Sequence, residues 1–125
     1  MVQPQPIQPE GWKPPKGYVN GMSVPAGTRL VFVAGQIAWD AEQRLVGGDF
    51  AAQFAQALKN VITVVEAAGG RGADLVSMTI YVTDKQQYGA ATADLGRTWR
   101  SLLGKHYPAM ALVEVAALLE EGALV

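Results

Sequence analysis

The chain predicts an α+β fold: a single-layer mixed β-sheet with two helices packed on one of its faces. Three observations lead there. Two stretches carry apolar residues at helical spacing, one opening at Asp49 and one near Lys85. Each is flanked by a stretch that alternates with the two-residue period of a strand. Strand–helix–strand crossovers between parallel neighbours are right-handed almost without exception, so two in succession put both helices on one face and leave the other uncovered.

Composition narrows the function classes. With 125 residues, the chain has the length of one domain with one core. Half of its residues are hydrophobic and 17% are charged, which excludes a disordered segment. A formal net charge of −1 gives no electrostatic reason to bind nucleic acid or an anionic membrane. The lack of cysteine removes disulfides, thiolate nucleophiles and thiolate metal sites, and a single histidine removes multi-histidine metal sites. No apolar run approaches transmembrane length and no basic segment precedes an apolar one at the start, so a soluble, cytoplasmic protein is expected.

Residues 1–17 read as a proline-rich arm, because Pro4, Pro6, Pro9, Pro14 and Pro15 remove backbone donors and favour extended conformations. Either Trp12 anchors that arm against the body or a neighbouring subunit, or the arm is a partly disordered tail. A single domain is expected over 18–125. Its first strand is placed at Tyr18 to Ser23, followed by turn chemistry at Pro25-Ala26-Gly27. Leu30 to Ile37 reads as a stronger strand, buried on both faces because it is almost continuously apolar. Gly35 interrupts it, either as a bulge or as a backbone amide facing a ligand. A short strand is placed at Arg44 to Val46.

Asp49 is positioned to cap the first helix, whose stripe is Phe50, Phe54, Ala57, Leu58, Val61, Val65 and Ala68, and Gly69-Gly70 ends it. Gly70-Arg71-Gly72 follows a helix and lacks a third glycine, which makes it a cap and loop, not a phosphate cradle. Leu75 to Val82 alternates: Val76, Met78, Ile80 and Val82 share one face, and Leu75, Ser77, Thr79 and Tyr81 the other. Thr83 to Gln86 reads as a capping box for a second helix bearing Tyr88, Ala91, Leu95, Trp99 and Leu102, stopped at Gly104.

The stretch His106 to Ala116 predicts a buried strand with two unlike faces. Ala111, Val113 and Val115 are small and suit packing under helices; Met110, Leu112 and Glu114 form the other face. A carboxylate beside two large apolar side chains is wet, paired or perturbed, so Glu114 reaches water near a sheet end, serves as a structural partner within the oligomer, or forms part of a pocket wall. Leu124-Val125 opens a last strand. The uncovered sheet face, expected to hold Met110 and Leu112 with Thr79 and Tyr81, predicts an oligomer, most simply a closed ring with ligand pockets between subunits.

Leu30 to Ile37 with its Ala-Gly-Gln-Ile, the helix end Val65-Glu66-Ala67-Ala68-Gly69, Tyr81-Val82-Thr83-Asp84, and Tyr107-Pro108-Ala109 before Val113-Glu114-Val115 together resemble the RidA/YjgF family, also labelled endoribonuclease L-PSP. The resemblance runs in collinear order from about Gly17 to Val125. It implies a chorismate-mutase-like fold, a homotrimer and three intersubunit clefts. In the best-known members these clefts hydrolyse enamines or imines formed by amino-acid dehydration, without metal or cofactor. The substrate-binding positions it points to are Tyr18, Gly35, Gln36, Met110, Leu112 and Glu114, and no residue is assigned as catalytic.

The departures bear on the substrate. The family has an arginine after Pro-Ala that grips the substrate carboxylate; here that position is Met110. The pocket position that is often cysteine is Leu112, and an asparagine of the second helix is replaced near Gly96. The family's water-positioning glutamate is expected just beyond Val125. Loss of a charge-assisted pair of about 1.5–3 kcal/mol weakens carboxylate binding roughly ten- to hundred-fold. A thioether favours apolar or aromatic surfaces instead. Three readings follow: hydrolysis of an enamine, imine or related unsaturated amine other than the usual 2-imino acids; a small-molecule binding or sensing trimer without turnover; and RNA cleavage. The last is disfavoured by acidity and by one isolated histidine, His106.

Overall fold

Helix α1 (Phe50–Ala67) forms where the apolar stripe places it, in a computed structural model that describes residues 4–125. Asp49 caps it by accepting a hydrogen bond from the Ala52 amide at 2.9 Å. At the other end the Arg29 guanidinium donates to the Ala68 carbonyl, setting a cation against the negative pole of the helix. Gly69 then turns the chain with φ of 89°, a conformation that costs glycine little.

Strand β3 (Ser77–Val82) lies parallel to β4 (Ala109–Glu114), and helices α2 (Lys85–Ala90) and α3 (Thr92–Leu103) connect them. This is the expected crossover, and its helices share the sheet face that α1 covers. Phe50, Phe54 and Leu58 of α1 meet Leu95 and Trp99 of α3 over Val82 in one buried cluster, which Val125 also joins. Trp99 is a packing residue with its polar edge satisfied: Nε1 donates to the His106 carbonyl at 2.9 Å, and its ring stacks on Tyr107 at 5.8 Å between centroids.

Several expectations are corrected. The second helix is two, broken at Ala91, whose amide bonds Tyr88 while the Thr92 hydroxyl donates to the Gly89 carbonyl. A glycine and a hydroxyl competing for main-chain bonds weaken the helix at that turn. The cap of α2 is Asp84, which accepts from Gln86, and not Thr83, whose amide is taken by the Leu124 carbonyl at 3.1 Å. Leu124 and Val125 form no strand; the Leu124 carbonyl accepts from the Thr83 amide, and the Leu124 amide donates to the Gln53 side chain. Leu45 makes a single bridge to Trp39 in place of a short strand, around a turn tied by Asp40.

The two faces of β4 are the reverse of those expected. Its register pairs Met78 with Met110, Ile80 with Leu112 and Val82 with Glu114, so these side chains share a face. Met78, Ile80 and Met110 pack against the helix cluster, whereas Ala111 and Val113 are exposed. Beneath Phe50, Phe54 and Trp99 of the helices the larger side chains fill volume that alanine leaves empty. Thr79 and Tyr81 do lie on the uncovered face, with Ala111 and Val113 beside them.

The largest departure is Leu30 to Ile37. It is extended but makes no ladder; Leu30 is 64% and Phe32 88% exposed. Apolar, β-branched composition favours a strand only where a neighbouring edge supplies hydrogen-bond partners. Here β3 pairs with β4 alone, and the segment stands away from the free edge of β3. The first strand is also shorter than expected. Only Gly21–Ser23 forms strand β2, and its partner is β1 (Gln5–Ile7) from within the arm. Upstream of β2, Val19 bridges Ala109 and donates to Pro108 at 3.2 Å, which brings Tyr18 and Asn20 to the start of β4.

Candidate functional site

That bridge builds a cleft. It has a volume of about 340 Å³ and lies over the first residues of β3 and β4, with Tyr18, Asn20, Ser77, Met78, Thr79 and Met110 in its wall. Tyr18 is 42% exposed and Met110 is half-buried. Met110 borders the cleft at the start of β4, and its side chain packs against the core. Among the described residues, none that lines this space is charged. Its polar groups are the phenol of Tyr18, the hydroxyls of Ser77 and Thr79, and the amide of Asn20.

The predicted site residues divide into groups. Tyr18 and Met110 come together in this cleft. Gly35 and Gln36 line a separate trough of about 920 Å³ between the Leu30 to Ile37 segment, α1 and β3; Ser77, Met78 and Thr79 border both spaces. A methyl group placed on Gly35 would meet nothing within 4 Å, so neither a packed bulge nor a close approach is present there. Gln36 donates to the Ala34 carbonyl at 3.2 Å. Leu112 and Glu114 border neither space. Glu114 instead accepts a hydrogen bond from the Lys85 amide at 3.0 Å, the structural alternative at the sequence level, where a carboxylate meets the first free amide of α2. The ring of His106 sits 2.7 Å from the Leu75 carbonyl and joins β4's approach to that of β3.

Sequence reasoning missed Asn20 and Met78. Both carried a signal: Asn20 is two residues from Tyr18, and Met78 stands opposite Met110 once the register is known. It also missed two amides that position the frame. Gln53, 3% exposed, donates to Gly122 at 3.0 Å and accepts from Leu124 at 2.8 Å. Asn60 donates to the carbonyls of Ile37 and Trp39 at 3.0 and 2.9 Å, tethering the end of the extended segment to α1. A polar residue on the apolar face of a predicted helix marks such a clamp, and Gln53 sits between Phe50 and Phe54.

Residues 11–125 match the family model described as Endoribonuclease L-PSP, and the chain belongs to that family. It is 36% identical over 89 residues to a RutC family protein of Haemophilus influenzae, covering 71% of this chain and 68% of the relative. It is 35% identical over 104 residues to the 2-iminobutanoate/2-iminopropanoate deaminase of Salmonella typhimurium, covering 81% and 76%. Among solved structures, the conserved Rid family protein YyfB of Yersinia pestis, of unknown function, superposes with a TM-score of 0.85 at 31% identity, covering 98% of this chain and 92% of that one. The YjgF gene product of E. coli superposes with a TM-score of 0.62 at 32% identity, covering 86% and 80%. Among the described residues, no helix is long and apolar enough to cross a membrane.

Proposed function

We propose that this protein hydrolyses a small reactive enamine, imine or related unsaturated amine, releasing ammonia, and that its substrate is not a 2-imino acid. The deaminase relatives support the chemistry. The observation that carries the substrate statement is the uncharged lining of the cleft around Tyr18 and Met110. A carboxylate entering it would lose water and gain no cation, a cost of several kcal/mol by general estimates (~2–5). Hydroxyls and thioethers suit a neutral, less polar molecule. The reading includes a cytoplasmic homotrimer in which a neighbouring subunit closes each cleft, because Tyr81 and Val113 leave an apolar face uncovered. It requires no metal or cofactor. Glu114 is assigned to the frame, and Gly35 and Gln36 would reach the ligand only if their segment moved toward β3.

A second reading, a binding or sensing trimer without turnover, is favoured by one specific feature: among the described residues, neither a carboxylate nor an imidazole lines the cleft to activate water. Cleavage of RNA is not favoured, since a chain of net charge −1 with an uncharged cleft offers little to a phosphate backbone. The test is ammonia release from two substrates: 2-iminobutanoate generated in situ, and the neutral enaminone 4-amino-3-penten-2-one, whose hydrolysis gives ammonia and a diketone. Faster turnover of the enaminone is expected. Preferential turnover of 2-iminobutanoate would overturn the substrate assignment, and binding of the enaminone without turnover of either would establish the second reading.

A further inference from the structure

The Asn20 amide at the cleft is oriented by a relay that begins on the arm. Gln8 Nε2 donates to the carbonyls of Trp12 at 3.0 Å and Lys13 at 3.4 Å. A main-chain carbonyl can only accept, so these two bonds fix which end of the Gln8 amide is nitrogen. Its Oε1 therefore faces Asn20 and takes a hydrogen bond from Asn20 Nδ2 at 2.8 Å. The orientation of Asn20 follows in turn: one of its two Nδ2 hydrogens is engaged by Gln8, and among the described residues no donor meets its Oδ1. Asn20 borders a cleft that contains no cation.

We propose that Asn20 Oδ1 is the specificity-determining acceptor of the cleft, receiving an N–H of a neutral unsaturated amine or amide, and that Gln8 is the positioning residue that holds this acceptor in place. The inference rests on the neutral-substrate reading above and names the group that the substrate must carry. An acceptor discriminates in one direction. It rewards a ligand N–H, gives nothing to an ester, and repels a carboxylate, whose oxygens are acceptors as well. Gln8 acts only through Asn20. Without it the Asn20 amide can rotate and offer its donor end, which removes the discrimination without removing the residue.

The experiment is titration of the whole chain with three probes of one carbon skeleton, followed by the methyl resonances of Met78 and Met110: crotonamide, methyl crotonate and crotonate. Crotonamide is expected to bind roughly three- to tenfold more tightly than the ester, the range of one neutral hydrogen bond. Asn20→Leu should bring amide and ester together. Gln8→Ala should lower the amide-to-ester ratio in part while leaving the affinity for the ester unchanged, as expected of a residue that acts only through Asn20. Equal binding of amide and ester to the unmodified chain overturns the inference while leaving the neutral-substrate reading intact. A preference that survives Asn20→Leu overturns it too, as does the failure of all three probes to perturb either methionine at millimolar concentration. Tightest binding of crotonate counts against the neutral-substrate reading, and the amide-to-ester ratio still decides the role of Asn20.

Discussion

A buried amide carries the clearest residue-scale consequence. Gln53 is almost fully enclosed and both ends of its side chain are engaged, one by the Gly122 carbonyl and one by the Leu124 amide. Truncation would leave two main-chain groups unpaired under α1. Gln53→Ala should therefore cost about 2–4 kcal/mol, at about 1–3 for each unsatisfied group partly relieved by water. Urea denaturation followed by circular dichroism reads this directly, and an unchanged midpoint would show that the clamp contributes nothing. Other single residues were legible to different degrees. That Met110 stands where the family has arginine is visible in the sequence alone. That Met110 packs toward the helices is not, because alternation divides a strand into two faces without saying which is inside. The register with Met78 and the bulk of the aromatic layer decide it.

At the scale of elements, the helices were the legible part. Their signals are local: a capping carboxylate at Asp49, a stripe at 3.6-residue spacing, and glycines at the ends. The break at Ala91 was missed because it depends on which carbonyl the Thr92 hydroxyl chooses. Gly89 lies in α2, and a methyl group there would meet nothing within 4 Å. Gly89→Ala should stabilise the protein by roughly 0.5–1 kcal/mol through the backbone entropy of the unfolded chain, read as a higher midpoint in the same denaturation. A lower midpoint would mean that the helix break is needed. Strands were less legible, since their bonds come from distant partners. Leu30 to Ile37 has strand composition without a ladder, whereas Ser77–Val82 and Ala109–Glu114 have both. Hydrogen exchange should find the amides of Val31 to Ile37 fast and those of β3 and β4 slow. Strong protection of Val31 to Ile37 would show that this segment closes onto the free edge of β3.

For the whole molecule, the uncovered face and the neutral cleft make one account. Tyr81 is 50% and Val113 40% exposed on that face, and burying apolar surface is worth roughly 25 cal/mol per Å². Three copies arranged about a closed axis would cover it, and a monomer at micromolar concentration in light scattering would refute the intersubunit site. The expectation of an oligomer comes from a topological rule that leaves one sheet face bare; Thr79 and Tyr81 belong to that face, and Met110 does not. What sequence alone withheld was the meeting of Tyr18, Asn20 and Met110, which depends on one bridge between Val19 and Ala109. The central claim is that this meeting place does not select carboxylates, and calorimetric titration of 2-ketobutyrate into the unmodified protein and Met110→Arg tests it most directly. The unmodified chain should show little heat, and the arginine variant should bind roughly ten- to hundred-fold more tightly, provided that the buried guanidinium leaves the assembly intact by light scattering. Strong binding by the unmodified chain, unchanged by Met110→Arg, would contradict the account.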